Sequence, residues 1–303
     1  MAIVSVDNLS KSFGPARVLN KLNISVEPGE VFGLLGPDGA GKTTLLRILA
    51  GIMTASSGKV NILGFDVTAH MESAKQHIGY LPQRFSLYPD LTVTENIDFY
   101  SRLFKVKARD SKSRKEQLLE FSRLGPYADR RARHLSGGMK QKLALTCALI
   151  HTPKLLLLDE PTTGIDPISR REFWKILYDL VAQQVTIIIA TPYMDEAERA
   201  SRVALLYNGT LLRCDKPENL KRQFRAEIAE VVSDNNHAAK SILEKRFGFQ
   251  RVVFFGDKIH LKLDNYDTEA TIANRLLREA NINIISLERI APTLEDVFID
   301  AIS

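Results

Sequence analysis

The chain has 303 residues, 45% hydrophobic and 25% charged, a composition that excludes disordered, collagen-like and simple fibrous proteins. Its 41 Lys and Arg against 36 Asp and Glu leave a mild net charge of +5, and no stretch approaches the roughly 18 consecutive apolar residues of a membrane span. The opening MAIVSVDNLSK lacks the basic head and apolar run of a secretory signal, and two cysteines, Cys147 and Cys214, are too few for a disulfide framework. A soluble, cytoplasmic protein of about two domains is expected.

In chain order, residues 3–6, 22–26 and 31–35 read as strands, with Pro28-Gly29 turning into the third. A glycine-rich loop from Gly36 to Gly41 leads into a helix over 42–49. Short strands follow at 59–63 and 78–81, then amphipathic helices at 93–105 and 111–124, the latter ending at Gly125-Pro126. A helix over 136–150 opens on Ser136, a good N-cap residue. Residues 155–158 are a continuous apolar run, the pattern of a strand buried on both faces of a parallel sheet. A helix over 169–183 and a strand over 185–190 continue the alternation, which argues for an α/β core. Beyond about residue 222 the order becomes strand 226–232, helix 237–246, a hairpin of 252–255 with 258–263, helix 268–280 and strand 282–287. That is the β-α-β-β-α-β order of a ferredoxin-like sandwich, closed by a short helix over 294–302.

Charge is unevenly placed. From Arg102 to Lys142 there are 13 Lys or Arg against 4 Asp or Glu. Such a block can steer nucleic acid, anionic lipid or nucleotide, or can simply be a solvated helical face. It lacks the interleaved aromatics used to stack bases.

Residues 36–44 read Gly-Pro-Asp-Gly-Ala-Gly-Lys-Thr-Thr, matching G-x-x-x-x-G-K-[ST] with Gly36, Gly41, Lys42 and Thr43 in place. Glycines let backbone N–H groups approach phosphate oxygens closely, and the following helix adds its N-terminal donors. The cradle therefore comprises Gly36, Pro37, Asp38, Gly39, Ala40, Gly41, Lys42, Thr43 and Thr44. Lys42 supplies charge at the β- and γ-phosphates, and Thr43 offers a hydroxyl to Mg²⁺. Downstream, the apolar run 155–158 ends in Asp159-Glu160-Pro161, placing two carboxylates at the carboxyl end of a buried strand, where open parallel sheets bind ligands. Asp159 is expected to hold Mg²⁺, directly or through water, and Glu160 to polarise the attacking water.

The run Leu135-Ser136-Gly137-Gly138-Met139-Lys140-Gln141 is a second backbone-rich anion site, 23 residues before Asp159. One nucleotide does not need two γ-phosphate cradles in one chain; two chains facing head to tail do. Here the sequence resembles the ATP-binding-cassette (ABC) family, whose signature is LSGGQ followed by a basic helix; Met139 departs from that glutamine. The resemblance covers roughly residues 2–222 and implies further roles. Gln83, in Tyr-Leu-Pro-Gln, matches the Q-loop that senses Mg²⁺ and the transmembrane partner. Phe13 matches the aromatic that stacks on adenine, and Gly164, Ile165 and Asp166 match the D-loop that crosses the dimer interface. Ser136, Gly137, Gly138 and Met139 would contact ATP held by the partner. The tail sequence Pro292-Thr293-Leu294-Glu295-Asp296-Val297-Phe298 looks like the closing motif of drug-resistance-type cassettes, which serve type-2 ABC permeases.

Two positions depart from that pattern. The family switch reads Thr-His, but this chain has Thr191-Pro192, and the nearest histidine in sequence is His151. Proline brings neither imidazole nor backbone N–H, so the site is expected to bind ATP well and hydrolyse it slowly. Asp38 stands where the family usually has Asn. Together these imply an asymmetric dimer, in which a partner cassette with an intact histidine is plausible.

The reading that emerges is a P-loop ABC cassette over 1–222, with a helical subdomain at about 84–150, and an accessory α/β domain over 226–303. Its function would be ATP binding and hydrolysis for an ABC exporter, with ATP and Mg²⁺ bound and the chain peripheral on the cytoplasmic face of the membrane. Its partners would be a type-2 permease and a second cassette; no nucleic acid partner is expected. The alternatives are a catalytically degenerate regulatory cassette and a soluble ABC ATPase acting on ribosomes or DNA.

Overall fold

The computed structural model describes residues 2–83 and 87–302, apart from the Thr68 side chain; the first residues of the expected helical subdomain, 84–86, lie outside the described residues, as do Met1 and Ser303. The chain divides into two compact units, 1–216 and 217–303.

The first unit begins with strands β1 (Val4–Phe13), β2 (Ala16–Val26) and β3 (Val31–Leu35), followed by helix α1 (Lys42–Leu49). β4 (Ser57–Ile62), β5 (Phe65–Asp66), α2 (Val67–Lys75) and β6 (Ile78–Leu81) lead to helices α3 (Val93–Leu103), α4 (Ala108–Phe121) and α5 (Gly137–Leu149). β7 (Leu155–Asp159), α6 (Pro167–Ala182), β8 (Thr186–Thr191), the one-turn α7 (Met194–Ala197), β9 (Arg202–Tyr207) and β10 (Thr210–Asp215) complete it.

Two sheets result. A smaller antiparallel sheet has the order β2-β1-β4-β5, and a six-stranded sheet runs β10-β9-β3-β8-β7-β6. The latter is parallel from β9 to β6, and β10 closes its edge antiparallel to β9. The continuous apolar runs of β3, β7 and β8 follow from this: every residue of each is buried. Apolar residues of both sheets share one core with Leu45, Leu46, Ile48 and Leu49 of α1. That burial fixes the helix beneath the glycine-rich loop.

The helical segment has its own core of Val93, Ile97, Leu124, Leu135, Leu143, Cys147 and Ile150. Thr92 and Glu95 form a capping box at the start of α3, and Ser136 caps α5. Asn96, fully buried, clamps the preceding turn: its Oδ1 accepts from Tyr88 N–H, and its Nδ2 donates to Tyr88, Leu91 and Thr92 carbonyls. α4 ends three residues before its expected limit because Arg123 turns left-handed at φ 57.

The second unit holds α8 (Pro217–Arg222), β11 (Glu227–Ser233), α9 (Asn236–Phe247), β12 (Val252–Phe255), β13 (Lys258–Leu263), α10 (Tyr266–Glu279), β14 (Ile284–Ile290) and α11 (Leu294–Ile302). Its antiparallel sheet has the order β12-β13-β11-β14, as a split βαβ sandwich requires. α8, read from the sequence as the end of the cassette, instead packs against α11. α9 and α10 share a core with the sheet through Ala239, Leu243, Ala273, Leu277, Ile259 and Leu261. The Pro-Thr-Leu-Glu-Asp run begins α11: Thr293 N–H and Oγ1 donate to Asp296 Oδ2, at 2.8 and 2.7 Å, and Asp296 Oδ1 meets His260 Nδ1 at 2.9 Å.

Candidate nucleotide-binding site

The loop from Gly36 to Gly41 joins the carboxyl end of β3 to α1. Two of its glycines are required by their neighbours. A Cβ at Gly36 would stand 2.2 Å from the Leu206 carbonyl oxygen, and Gly41, at φ 101, would meet the Leu19 side chain at 2.6 Å. Pro37, Asp38 and Gly39 are exposed at the loop's crest, while Ala40 is buried and Thr43 and Thr44 are half-buried. Lys42 is only 4% exposed, and its Nζ donates to the carbonyls of Gly36 and Pro37 at 2.7 and 3.0 Å. Burial holds its pKa below the ordinary lysine value, against the opposing pull of Glu160, Asp38 and Asp159.

Asp159 and Glu160 arrive from the adjacent strand system. Thr43 Oγ1 donates to Asp159 Oδ1 at 2.9 Å. Burial raises the Asp159 pKa, which the Thr43 bond opposes. Asp159 Oδ2 is buried without a hydrogen-bond partner, the kind of orphaned oxygen that a cation takes. Among the described residues no three His, Cys, Asp or Glu side chains gather into an all-protein cage; Mg²⁺ needs none, since it keeps waters and phosphate oxygens around one or two protein ligands. Glu160, at φ 48, donates its N–H to the Ala190 carbonyl at 2.9 Å. Its Oε2 accepts from Gln83 Nε2 at 2.9 Å and from Thr163 Oγ1 at 3.3 Å. Lys42, Thr43, Gln83, Asp159 and Glu160, distant in sequence, thus meet at the carboxyl ends of β3, β6 and β7.

Phe13 closes β1, 48% exposed as a residue, with Lys11 Nζ 5.0 Å from the ring centroid. The signature segment stands beside the D-loop of its own chain. Outside its own helix, a Cβ at Gly137 would find Gly164 O and Ile165 Cγ2 nearest, each at 3.9 Å, and one at Gly138 would strike Ser169 Oγ at 2.4 Å. Ser136 and Gly137 are exposed, and the Ser136 oxygen accepts from Met139 N–H at 3.3 Å. Asp166 caps α6, accepting from Ile168 and Ser169 N–H at 3.0 and 2.9 Å, and the Ser169 bonds lower its pKa.

Pro192 follows β8, half-buried. His151 does not replace the missing imidazole: its ring stacks on Phe104 and its Nε2 meets the Ile78 carbonyl at 3.0 Å. Part of the basic block is internally paired, Lys115 with Asp98, Arg133 with Asp90 and Lys142 with Glu172. Arg102, Lys105, Lys107, Arg109 and Lys112 are exposed. No helix among the described residues is long and apolar enough to cross a membrane.

Sequence reasoning passed over β9 and β10, although Asn208-Gly209 between two apolar runs is the strongest short hairpin signal. Thr162 and Arg170 lie in a run that resembles the multidrug-export branch, but that they meet Glu196 was not foreseen; contacts between residues so far apart leave no local pattern.

The geometry has close counterparts. The ABC transporter family model matches residues 19–163, and the ATP-binding protein DrrA1-3-like C-terminal domain matches residues 216–302. Nod factor export ATP-binding protein I of Rhizobium etli is 36% identical over 99% of this chain and 93% of its own length. The probable multidrug ABC transporter ATP-binding protein YbhF of Escherichia coli is 39% identical over 99% of this chain, which spans only 52% of that relative. Among solved structures, an ATP-binding subunit of an ABC transporter aligns at TM-score 0.67 with 28% identity, covering 73% of this chain and 93% of that one. An ATP-binding cassette in its ADP conformation aligns at TM-score 0.66 with 27% identity, covering 72% and 92%. Identity above a third, sustained along nearly the whole of a relative, makes this chain a member of the ABC transporter ATP-binding family, a family of nucleotide-binding ATPases, in its drug-resistance branch.

Proposed function

We propose that this chain is the ATP-hydrolysing subunit of an exporter, working on the cytoplasmic face of the membrane with a separate type-2 permease. The observation that carries the enzymatic part is the meeting of Lys42 and Thr43 with Asp159, Glu160 and Gln83 around one strand-end cleft. Support for export comes from the relatives, named for multidrug transport and Nod factor export. The exposed basic side chains of the helical segment add a surface that suits anionic headgroups.

In this reading the backbone from Gly36 to Ala40, with Gly41 and Thr44, wraps the phosphates of ATP, and Phe13 stacks on adenine. Lys42 exchanges its bonds to the Gly36 and Pro37 carbonyls for bonds to phosphate oxygens. Thr43, Asp159 and Gln83 would hold Mg²⁺, which would neutralise charge on the phosphates. Glu160 accepts a hydrogen bond from the attacking water and orients it in line. With Ser136 and Gly137 exposed beside the chain's own D-loop, the Ser136–Met139 segment serves the ATP of a second cassette, and that cassette's signature completes this one.

Hydrolysis at this site is slow. Residue 192 offers no side-chain donor to the γ-phosphate, and Asp38 adds a negative charge at the crest of the loop. The pair makes the productive dimer one with an unlike cassette, of which this chain supplies the weaker site. Glu160→Gln tests the reading: with ATP present, the variant is expected to co-purify from membranes with an unlike cassette and a permease, held in a closed dimer. A folded, ATP-saturated variant that retains neither partner would refute the closed dimer.

A further inference from the structure

Glu196, on the one-turn helix α7, is a charged side chain with no exposed surface. Thr191 Oγ1 donates to its carboxylate at 2.8 Å, and Thr162 Oγ1 donates to its other oxygen. Arg170 Nε, itself buried and otherwise without a hydrogen-bond partner, stands 3.6 Å from Glu196 Oε1. The same guanidinium lies over the Tyr193 ring, 5.0 Å from its centroid, and Tyr193 N–H donates to Thr191 Oγ1 at 3.1 Å.

These partners come from three loops that the nucleotide site uses. Thr162 is two residues beyond Glu160, Arg170 sits on the first turns of α6 just after the D-loop, and Thr191 and Tyr193 flank Pro192. A carboxylate buried among packed residues is costly unless donors meet it, and an apolar side chain of similar volume would hold the same packing at no such cost. Here hydroxyl donors from two of these segments and the guanidinium of the third meet it. Thr163, the neighbour of Thr162, also donates its Oγ1 to Glu160 Oε2.

We propose that Glu196 is a positioning residue for ATP hydrolysis: it locks the loop carrying Glu160 to the switch segment at Pro192 and, through Arg170, to the D-loop helix. The proposal rests on the reading of Glu160 as the group that orients water. Glu196 touches neither nucleotide nor water. It sets where the Glu160 carboxylate sits, so its loss slows the chemical step and leaves ATP affinity intact.

The test uses the full chain and single-turnover release of labelled phosphate from ATP, with ATP affinity and melting temperature measured on the same samples. Thr162→Val, which deletes one donor and keeps the shape, is expected to slow the single-turnover rate about ten- to a hundredfold, the scale of a misplaced reacting group. Its ATP affinity is expected to stay within about twofold of wild type, and Thr162→Ser, which keeps the hydroxyl, to run at the wild-type rate. Thr191→Val removes the donor from the opposite loop and is expected to behave like Thr162→Val, should the latter fail to fold. If the tie acts through Glu160, adding Thr162→Val to Glu160→Gln produces no further slowing. A folded Thr162→Val at the wild-type rate, or one that slows Glu160→Gln by its full factor, overturns the tie alone. A wild-type rate in Glu160→Gln refutes the site reading beneath it and the route through Glu160 together.

Discussion

Replacing Pro192 by histidine is expected to raise the ATPase rate of the chain alone. β8 pairs with β3 in parallel register, Leu35 opposite Thr191. The next residues, Gly36 of the phosphate loop and Pro192, therefore leave neighbouring strand ends about 5 Å apart. On the other side of β8, Asp159 pairs with Ala190, which brings Glu160 to the same edge. An imidazole at 192 thus stands between the phosphates and the group that orients water. One aligned donor at a developing charge is worth about 2.7–4 kcal/mol of barrier, which sets the ceiling of the rise at roughly 100- to 900-fold; losing proline's fixed backbone costs about 0.4–1 kcal/mol of folding stability and leaves the barrier untouched. The assay is steady-state phosphate release by wild type and Pro192→His at equal nucleotide occupancy. A folded variant with no gain would show that Pro192 does not limit the site. Fast hydrolysis by wild type alone would be the more damaging result, since some other group would then be serving in place of the histidine.

Lys42→Ala removes a charged donor worth about 1.5–3 kcal/mol, so ATP affinity is expected to fall about tenfold to a hundredfold in an equilibrium titration; unchanged affinity would sink the assignment of the loop. A chain ending at Lys216 keeps every residue of the nucleotide site and is expected to bind ATP as the full chain does while dimerising more weakly; loss of binding in a folded truncated protein would contradict this. Asp296→Asn leaves His260 and Thr293 facing a poorer acceptor, with an expected loss of about 1–3 kcal/mol in denaturant unfolding. Burial pushes the Asp296 carboxyl up, but hydrogen bonds from His260 and Thr293 outweigh it and hold the pKa below the ordinary value. That stabilisation is therefore complete above about pH 4 and is lost as the pH falls through the folded-state value, a dependence Asp296→Asn is expected to flatten.

What the sequence disclosed follows the range of the interactions involved. The phosphate loop was legible because its chemistry is written in consecutive residues. β7 could be read because burial on both faces of a sheet demands an unbroken apolar run. The tail's order was legible too, down to the turn at Gly256-Asp257 between β12 and β13. Element ends were less so. Whether α4 stops at Phe121 or Leu124 depends on a left-handed Arg123 that no pattern announces. Asn265 starts α10 two residues earlier than expected by accepting from Thr268 N–H. The assignment of α8 to the second unit was hidden because it rests on packing against α11, more than 70 residues away. Glu196 carried no assigned role in the sequence, because its partners Arg170 and Thr162 lie 26 and 34 residues upstream.

The contact at Gly138 has a mechanical consequence. With no side chain of its own, Gly138 lets the signature helix rest directly on Ser169 of α6, so closely that a single methyl group would collide with both Cβ and Oγ of that serine. The two surfaces that this chain would present to a second cassette, signature and D-loop, are therefore packed against each other with no room for a side chain between helix and serine. In the proposed dimer the signature closes over one nucleotide and the D-loop borders the other. Tightening around the first ATP then displaces the boundary of the second by the same rotation. The two sites would exchange information through a solid lever, without any change of fold, and Gly138→Ala would break that lever while leaving each loop's own residues in place.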